Sequence, residues 1–509
     1  MKRSPLLRFA AAACAFFAAS SVAHATWSLI LINTKTGEIG VAGATCLEND
    51  DLFKFLPVVQ VGVGAGMTQG FVNPAAADKM YMWDALLEGK KPVDILDELK
   101  EVASGVGIKQ WGMVDFDHAP STWSGGGLGQ GVGGVTGISG DLRYAVQGNV
   151  LAGPEVVLAA ATALLSHPGD VSQKVMAAME AARALGGDGR CSCTTGAPTS
   201  CGVPPPGFVK SAHAGFVAVA RIGDPDGVCG WLAGCATGDY YLRLESTGPA
   251  SAPDPVLEMQ IAYDVWRAGL AGRPDHLLST VSQPAALVAD GQTATEVLVR
   301  LVDVDGLPLT AGGATLTVEP EEPATAAATA GAVVDNGDGT YTVPFVAGTS
   351  PGTTRFVIRA DDGVVQATLY PFLDVEVDPI ADLHAGLDQV SSAAGAEVPF
   401  TLNLGNGSSG HPYVLLGSIS GTDPGISLGA GLVLPLNDDW FLHCTQTKAG
   451  STVLPGSIGV LDAGGRAEAR FVAGPGLLSE LVGLRIDWAA VDYAGPLAVT
   501  GAVGFEVEP

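Results

Sequence analysis

The sequence predicts an α+β domain followed by two β domains. Its 509 residues are too many for one hydrophobic core, and at about 150 residues per domain they predict three domains. Strands alternate with pairs of helices in the first half, whereas short alternating runs rich in Val, Thr, Gly, Asp and Pro follow Leu278. We therefore expect a helix-covered sheet domain at 26–247, a connecting helix at 254–277, and β domains at 278–378 and 381–509.

The first 25 residues have the form of a secretory signal peptide. A basic start, MKRSPLLR, precedes an apolar run from Phe9 to Val22, and AHA at 23–25 matches the small-x-small cleavage pattern. Cleavage there would make Thr26 the first residue of the mature chain. The alternative is a lipoprotein-like cleavage before Cys14, which lacks the usual Leu and would leave Thr26 inside the chain.

Charge and hydropathy narrow the range of partners. The chain has 26 basic and 53 acidic side chains and a net charge of -27, which repels polyphosphate, so we expect no nucleic-acid partner. After the signal no apolar run reaches the roughly 18 residues of a membrane span. We expect a secreted, periplasmic or cell-surface protein without a cofactor. The sequence does not distinguish a monomer from a homo-oligomer.

The elements of the first domain follow from changes in the hydrophobic period. Two β-branched stretches joined by a Gly-bearing turn predict a hairpin that begins at Thr26. The predicted strands are 27–32, 39–44, 57–65, 109–116, 121–123, 143–147, 213–221 and 239–244. The predicted helices are 74–87, 92–103, 154–166 and 171–185, and the first two have Pro near their first turn.

Beyond this domain the pattern changes to β structure. The segment 254–270, with Leu257, Ile261 and Val265 spaced by four, predicts the connecting helix. Strands of the second domain are predicted at 295–303, 314–319, 339–344 and 354–360. From about Ala381 to the end we expect β structure without a helix, carrying Cys444 as the odd cysteine.

An exported chain allows its cysteines to form disulfides. Cys229 and Cys235 enclose a loop short enough for one disulfide. The remaining cysteines of the first half can pair in three ways that the sequence does not distinguish, and they are Cys46, Cys191, Cys193 and Cys201. The alternative is a zinc site built from the last three of these and His213, although their spacing fits no standard pattern.

Three motifs invite ligand-binding interpretations that their spacing does not favour. VGVGAGMTQG at 61–70 is not GxGxxG, because Met67 occupies the place of the third glycine, and we expect a strand-to-loop transition. DNGDGTY at 335–341 lacks the terminal Glu of a calcium loop and is typical of a hairpin turn. SGGGLGQGVGGVTG at 124–137 has no basic neighbour for an anion, so we expect a flexible loop over a cleft.

Thr26 is the candidate nucleophile. A hydroxyl needs a base to remove its proton, and an N-terminal threonine carries one in its α-amine, whose ordinary pKa is about 7.7–8.0. The β-methyl group restricts χ1 and helps to hold the oxygen in place. Removal of the signal peptide would expose this residue without self-processing.

Five segments between residues 26 and about 245 resemble family 1028 of the domains of unknown function, which is grouped with the N-terminal nucleophile (Ntn) hydrolases. In chain order they are TWSLILINTKTGEIGVAGATC, GVGAGMTQGFVNP, WGMVDFDHAPSTWSG, YAVQGNVLAGPEVV and ALGGDGR. The resemblance implies an αββα sandwich, in which two stacked sheets lie between helical layers. It also implies a threonine directly after the leader, a position that Thr26 occupies, but it implies no substrate.

The resemblance also marks polar positions for the site, namely Gln69, Asn73, Gln147, Asn149, Asp188 and Arg190. Asn149 or Gln69 would donate a hydrogen bond to a developing oxyanion. The alternative is that Asn73 and Asn149 cap the helices that follow them. Asp188 and Arg190 either bind a ligand or form an ion pair that fixes their loop. Insertions at 191–213 and 229–235 depart from the shorter family members and bear on substrate access.

Residues 278–377 resemble the bacterial immunoglobulin-like (Ig-like) repeats of the invasin and intimin type, which serve as spacers or adhesive modules. The resemblance lies in PAALVADGQTATEVLVRLVDVDGLPL and DNGDGTYTVPFVAGTSPGTTRFVIRA. The sequence therefore predicts an exported Ntn hydrolase that cleaves an amide bond of an unknown small-molecule or peptide substrate through Thr26. The alternative is a non-catalytic ligand-binding or adhesion protein whose β domains attach it to the cell envelope or to a surface partner.

Overall fold

The computed structural model describes residues 26–72, 76–284, 287–289, 291–350, 352–378, 383–403, 410–429, 432–463, 465–493 and 498–509. Asn73 and the predicted signal peptide lie outside these residues. The described part of the chain is mostly β structure with some helices. None of its helices is long and apolar enough to cross a membrane.

The first half of the chain contains two antiparallel sheets and the helices around them. Its strands are β1 (Thr26–Asn33), β2 (Glu38–Thr45), β3 (Pro57–Gln60), β4 (Gly64–Gly70), β5 (Lys109–Asp115), β6 (Ser121–Ser124), β7 (Gly133–Ser139), β8 (Leu142–Asn149), β9 (Ala214–Ala220) and β10 (Leu242–Thr247). Its helices are α1 (Leu52–Phe55), α2 (Ala77–Leu87), α3 (Pro92–Val102), α4 (Glu155–Ser166), α5 (Val171–Ala184), α6 (Gly189–Ser192) and α7 (Pro255–Ala268). The larger sheet has the order β10-β9-β2-β1-β8-β7 and the smaller one β3-β4-β5-β6.

Alternating side chains on β1 explain how these elements are layered. Ile30 and Ile32 face the smaller sheet and pack in one core with its Met67. Leu29 and Leu31 point the other way, into a core shared with α4, α5 and α7. The helices α2 and α3 cover the outer face of the smaller sheet. The layers are therefore helices, sheet, sheet and helices, and each fully buried Leu or Ile contributes about 1.5–3 kcal/mol to holding them together.

Two glycine-rich segments differ from their predicted conformations. The strand predicted at 57–65 is a hairpin, in which Gly62 turns the chain with a φ of 72° that glycine adopts without strain. The flexible loop predicted at 124–137 overlaps β7, because its last residues pair with β8 throughout their length. In both segments the glycine-rich composition gives no strand signal, and the strands form because they pair with other strands of the chain.

The helix predicted after the first domain is present as α7, but it contributes to the core of that domain. Val256, Met259 and Tyr263 are buried against the larger sheet and α5. The stripe that suggested the helix, Leu257, Ile261 and Val265, is instead 40–70% exposed.

The second unit consists of two five-stranded sheets. Its strands are β11 (Thr280–Val281), β12 (Leu287–Val288), β13 (Ala294–Arg300), β14 (Thr315–Pro320), β15 (Ala328–Ala330), β16 (Val334–Asp335), β17 (Thr340–Ala347), β18 (Gly352–Asp361), β19 (Gln366–Thr368) and β20 (Leu373–Asp378). Their inner faces share one core, in which the rings of Phe345 and Phe356 meet edge to face at 4.8 Å. The acidic turn at 335–341 joins the paired strands β16 and β17 as a hairpin, the conformation that its Asn-Gly and Asp-Gly pairs favour.

The last unit is also built around β-sheets. Its strands are β21 (Leu383–Ala385), β22 (Gln389–Ser391), β23 (Ala396–Asn403), β24 (Pro412–Ser418), β25 (Ile426–Gly429), β26 (Leu432–Leu434), β27 (Ile458–Val460), β28 (Arg466–Ala473), β29 (Arg485–Asp492), β30 (Ala498–Val499) and β31 (Val503–Glu508). The prediction that this segment has no helix is wrong, because α8 (Trp440–Thr447) lies here. Asp439 caps it by accepting the N–H of Leu442, and Cys444 lies on its exposed side. Two turns are too short to give a clear helical period.

His276 is a buried histidine between the first and second units. It is 4% exposed, and its Nε2 has no hydrogen-bond partner among the described residues. Its ring stacks on that of Tyr370 with centroids 6.0 Å apart. Burial, and next the charge of Arg221, lower the pKa of His276 to about 3.

We expect acid to destabilise the fold around His276. The unfolded histidine binds a proton near pH 6.5, whereas the buried ring stays neutral down to about pH 3. The free energy of unfolding therefore falls as the pH decreases through this window, by up to about 1.4 kcal/mol per pH unit from this group. Urea unfolding at pH 7 to 4 measures the slope, and His276→Gln should reduce it. An identical slope in the variant would contradict this assignment.

Candidate active site at the start of the first strand

Thr26 begins β1, the strand that lies between β2 and β8 in the larger sheet. Its register partners are Thr45 on β2 and Asn149 on β8. The Thr26 N–H donates to Asn149 Oδ1 at 2.9 Å, and Thr26 Oγ1 donates to Thr45 Oγ1 at 3.4 Å. Pairing on both sides and 2% exposure give this residue a defined position within the sheet.

Asn149 is fully buried and presents an unused donor. Its Oδ1 accepts the Thr26 N–H, whereas its Nδ2 has no hydrogen-bond partner among the described residues. Because an unpaired buried donor is unfavourable by about 1–3 kcal/mol, such a group is a candidate for binding a ligand oxygen. The capping alternative does not describe Asn149, since Pro154 is the N-cap of α4 and no side chain caps that helix.

Gln69 and Gln147 belong to a buried hydrogen-bond network between the two sheets. Gln69 Nε2 donates to the Thr26 carbonyl oxygen at 3.0 Å and to Gln110 Oε1 at 2.6 Å. Ser28 Oγ donates to Gln69 Oε1 at 2.6 Å and accepts from Gln147 Nε2 at 2.7 Å. Both N–H groups of the Gln69 amide are therefore engaged, and its contacts hold β1 in place. Of the two oxyanion donors considered from the sequence, only Asn149 has a free N–H in this arrangement.

Ser28, Thr45 and Gln110 were not among the sequence-predicted site residues. Ser28 and Gln110 are fully buried members of the network, and Gln110 Nε2 also donates to the Gly148 carbonyl oxygen at 3.1 Å. The signal for Ser28 was a polar residue at the strand period from Thr26 within an otherwise apolar strand. Gln110 and Thr45 gave no comparable local signal, because each reaches the site through strand pairing.

Asp188 and Arg190 form an ion pair beside Thr45. Arg190 Nη2 lies 2.8 Å from Asp188 Oδ2, and Asp188 Oδ1 also accepts the backbone N–H of Arg190. The same Arg190 Nη2 donates to Thr45 Oγ1 at 3.4 Å, and the Cys46 N–H donates to Asp188 Oδ2 at 2.7 Å. The pair fixes its loop to the end of β2, in line with the ion-pair interpretation.

Three disulfides lie in the described part of the first half, and they are Cys46–Cys191, Cys193–Cys201 and Cys229–Cys235. The last is the predicted short loop. The pairing removes the thiolates on which the alternative zinc site depended. His213 lies beside the first disulfide, its ring nitrogen within 4.8 Å of both sulfurs, and burial followed by the charge of Lys210 lowers its pKa.

We expect the Cys46–Cys191 disulfide to contribute more to stability than Cys193–Cys201. It closes a loop of 145 residues against 8, and a longer closed loop restricts the unfolded chain more. Replacing both cysteines of the longer loop with serine should lower the free energy of unfolding by about 2–4 kcal/mol. Chemical unfolding of this double variant and of the matched Cys193→Ser/Cys201→Ser variant checks the order. A larger loss in the second variant would contradict it.

A cleft of about 290 Å³ opens at Thr26. Its lining residues, besides Thr26, are Thr45, Leu47, Asp50, Leu52, Phe55, Leu56 and Val72. The short helix α1 presents Leu52 and Phe55 to the cleft, and the Asp51 side chain caps that helix by accepting the Lys54 N–H at 3.0 Å. The hydroxyl-bearing residue at the start of β1 therefore meets a largely apolar cleft.

The fold and the site define a β-rich protein with a helix-covered sheet domain, a buried polar site and two further β units. Residues 26–197 match the family model described as "Family of unknown function (DUF1028)", and residues 275–369 match "Invasin, domain 3". The invasin-type domain and the disulfides are consistent with an extracellular or surface protein. The search of curated proteins gave no match.

Three solved structures illustrate the likenesses. A DUF1028 protein from Silicibacter pomeroyi is 17% identical with a TM-score of 0.34, over 47% of this chain and 88% of that one. The Yersinia pseudotuberculosis adhesin InvE is 20% identical with a TM-score of 0.19, over 45% of this chain and 58% of that one. The Escherichia coli adhesin FdeC is 11% identical with a TM-score of 0.18, over 95% of this chain and 97% of that one.

Proposed function

We propose that the first domain is an exported Ntn hydrolase that cleaves amide bonds with Thr26 as its nucleophile. The observation that carries the proposal is the pairing of Thr26, which lines a cleft, with the buried Asn149. Asn149 Oδ1 accepts the Thr26 N–H, and the buried Asn149 Nδ2 keeps an unused N–H. The order helices, sheet, sheet, helices supports placing the domain among αββα sandwiches.

The proposed reaction begins once residues 1–25 are removed and the Thr26 nitrogen becomes an α-amine. The neutral amine takes the proton of Oγ1 as this oxygen attacks the carbonyl carbon of the amide. The carbonyl oxygen becomes an oxyanion, to which Asn149 Nδ2 donates a hydrogen bond. Asn149 Oδ1 accepts an N–H of the amine and so directs its lone pair.

Breakdown of this intermediate breaks the C–N bond. The leaving amine takes the proton from the Thr26 ammonium group, and an acyl ester remains on Thr26 Oγ1. Water then attacks the ester carbon while the α-amine accepts a proton from it. The C–Oγ1 bond then breaks, and Oγ1 takes the proton back from the Thr26 ammonium group. The same oxyanion contact serves again, and the products are a carboxylic acid and regenerated Thr26.

A second candidate is a non-catalytic ligand-binding or adhesion protein. The match of residues 275–369 to invasin domain 3 favours it. In this case the cleft at Thr26 would bind a ligand without cleaving it, and the Ig-like domains would hold the first domain at the cell surface.

A single added residue at the N-terminus distinguishes the two candidates. One form of the protein begins at Thr26, and the other retains Ala25, which converts the amine into a peptide nitrogen. We expect only the first form to release amine from a panel of acyl amides. Equal hydrolysis by both forms would exclude the α-amine as the base, and no hydrolysis by either would favour the non-catalytic candidate.

A further inference from the structure

We infer that the cleft at Thr26 holds an uncharged apolar acyl chain of about eight carbons, which makes the substrate an amide of a medium-chain carboxylic acid. This inference rests on the proposed function and adds the identity of the acyl half. The inference concerns only the acyl half of the substrate and does not specify the amine that leaves.

The lining of the cleft carries the choice of an apolar group. Its apolar residues are Leu47, Leu52, Phe55, Leu56 and Val72. Leu52 and Leu56 are only 2% and 3% exposed, so their side chains form a fixed wall. Among the described residues of the lining, the polar side chain besides Thr26 and Thr45 is the carboxylate of Asp50, which would repel an acyl chain that ends in a carboxylate. An uncharged hydrocarbon chain fits this surface.

The size of the cleft sets the length of the chain. A cavity of about 150 Å³ binds benzene, a molecule of six carbons. The cleft at Thr26 has about twice that volume, at about 290 Å³. The cleft is therefore larger than an acetyl group and accommodates a chain of about eight carbons. Each buried methylene of such a chain contributes about 0.8 kcal/mol to binding.

The reaction sequence assigns this cleft to the acyl half of the substrate. Thr26 itself lines the cleft, and in the proposed mechanism the acyl group stays bonded to its Oγ1 between the two steps. The amine leaves after the first step. Apolar contacts in the cleft therefore serve both transition states when they are made with the acyl chain, but only the first when made with the amine.

Two constitutional isomers test this assignment, N-butyloctanamide and N-octylbutanamide. They contain the same atoms and differ only in which side of the amide carries the long chain. With the protein that begins at Thr26, we expect kcat/KM to be at least about tenfold higher for the octanamide, because up to four more methylenes are buried at about fourfold each. Equal constants, or a preference for N-octylbutanamide, would overturn the inference while the proposed function stands.

A substitution in the lining of the cleft tests whether the preference for the octanamide arises there. Leu47→Glu places a carboxylate in the lining at a partly exposed loop position and should bring the ratio of the two constants close to one. Leu87→Glu is the matched control, since Leu87 is 64% exposed at the end of α2 and outside the cleft. We expect this control to keep the ratio, and a ratio unaffected by Leu47→Glu would overturn the inference.

A binding measurement separates failure of this inference from failure of the proposed function. Octanoate is the expected product, and calorimetry with the Thr26→Ala chain measures its binding without catalysis. We expect octanoate to bind at least about tenfold more tightly than butanoate, from the additional buried methylenes. Equal binding of octanoate and butanoate would overturn the inference whether or not any amide is hydrolysed. Tight octanoate binding without hydrolysis of any amide would support the apolar cleft but exclude the proposed hydrolase function.

Discussion

Thr26→Ala is expected to lower kcat for amide hydrolysis by at least about 10³-fold, because it removes the atom that forms the acyl ester. Thr26→Ser keeps both the oxygen and the α-amine and should retain activity, at a rate reduced by the looser χ1 of serine. Steady-state kinetics with N-butyloctanamide and proteins that begin at residue 26 measure both effects.

Stability is the control for this comparison. The Thr26 side chain donates a hydrogen bond to Thr45 Oγ1 at 3.4 Å, and loss of this bond should lower the folding free energy of the alanine variant by about 1 kcal/mol. Thermal unfolding of both variants therefore stays close to that of the unmodified protein. Full activity in Thr26→Ala would exclude this residue as the nucleophile.

Asn149→Ala is expected to lower kcat by about 10²–10³-fold, the usual effect of removing an oxyanion donor. The substitution removes the free Nδ2 donor and also the Oδ1 acceptor of the Thr26 nitrogen. Asn149→Asp separates the two, because it keeps an acceptor and removes the donor. If Asn149 Nδ2 stabilises the oxyanion, kcat is lower in both variants. In the aspartate variant kcat is then lower at every pH of the measured profile.

Ser28→Ala is the matched control for Asn149. Ser28 is as deeply buried and takes part in the neighbouring network, but its hydrogen bonds go to Gln69 and Gln147 and not to Thr26. We expect this variant to lose about 1–3 kcal/mol of stability from the unpaired amides, with kcat nearly unchanged. A loss of kcat in Ser28→Ala equal to that in Asn149→Ala would contradict the specific role of the Asn149 donor.

Much of the fold follows from local sequence signals. The β-branched runs around the Gly37 turn gave the first hairpin, and proline near the first turn indicated the helices that include α3. The Asn-Gly and Asp-Gly pairs gave the turn before β17. In each case the side chains that determine the element lie within it, so a short window of sequence contains the information.

The elements that were missed depend on distant partners or on very few residues. The glycines of β7 have no apolar period, and their strand exists because they pair with β8. The helix α8 has only eight residues, and α7 places a different stripe in the core than the one that its spacing of four suggested. Both stripes of α7 contain apolar residues, and tertiary packing determines which of them is buried.

The site shows the same division. Thr26 was found from the cleavage pattern, and Asn149, Gln69 and Gln147 from the family resemblance, but their arrangement was not predictable. Thr26 and Asn149 are 123 positions apart, and only the pairing of β1 with β8 makes them neighbours. The pairing among four cysteines stayed open for the same reason, since the contact of the α6 segment with the end of β2 brings Cys46 beside Cys191 across 145 positions.

The central claim is that the mature chain begins at Thr26 and that this residue carries the acyl group. Tandem mass spectrometry of the N-terminal peptide tests both parts, on exported protein quenched in acid during turnover of N-butyloctanamide. The account predicts a peptide that begins TWSLILIN and carries an octanoyl group on Thr26. A peptide that begins elsewhere, or an octanoyl group on any other residue, would contradict it.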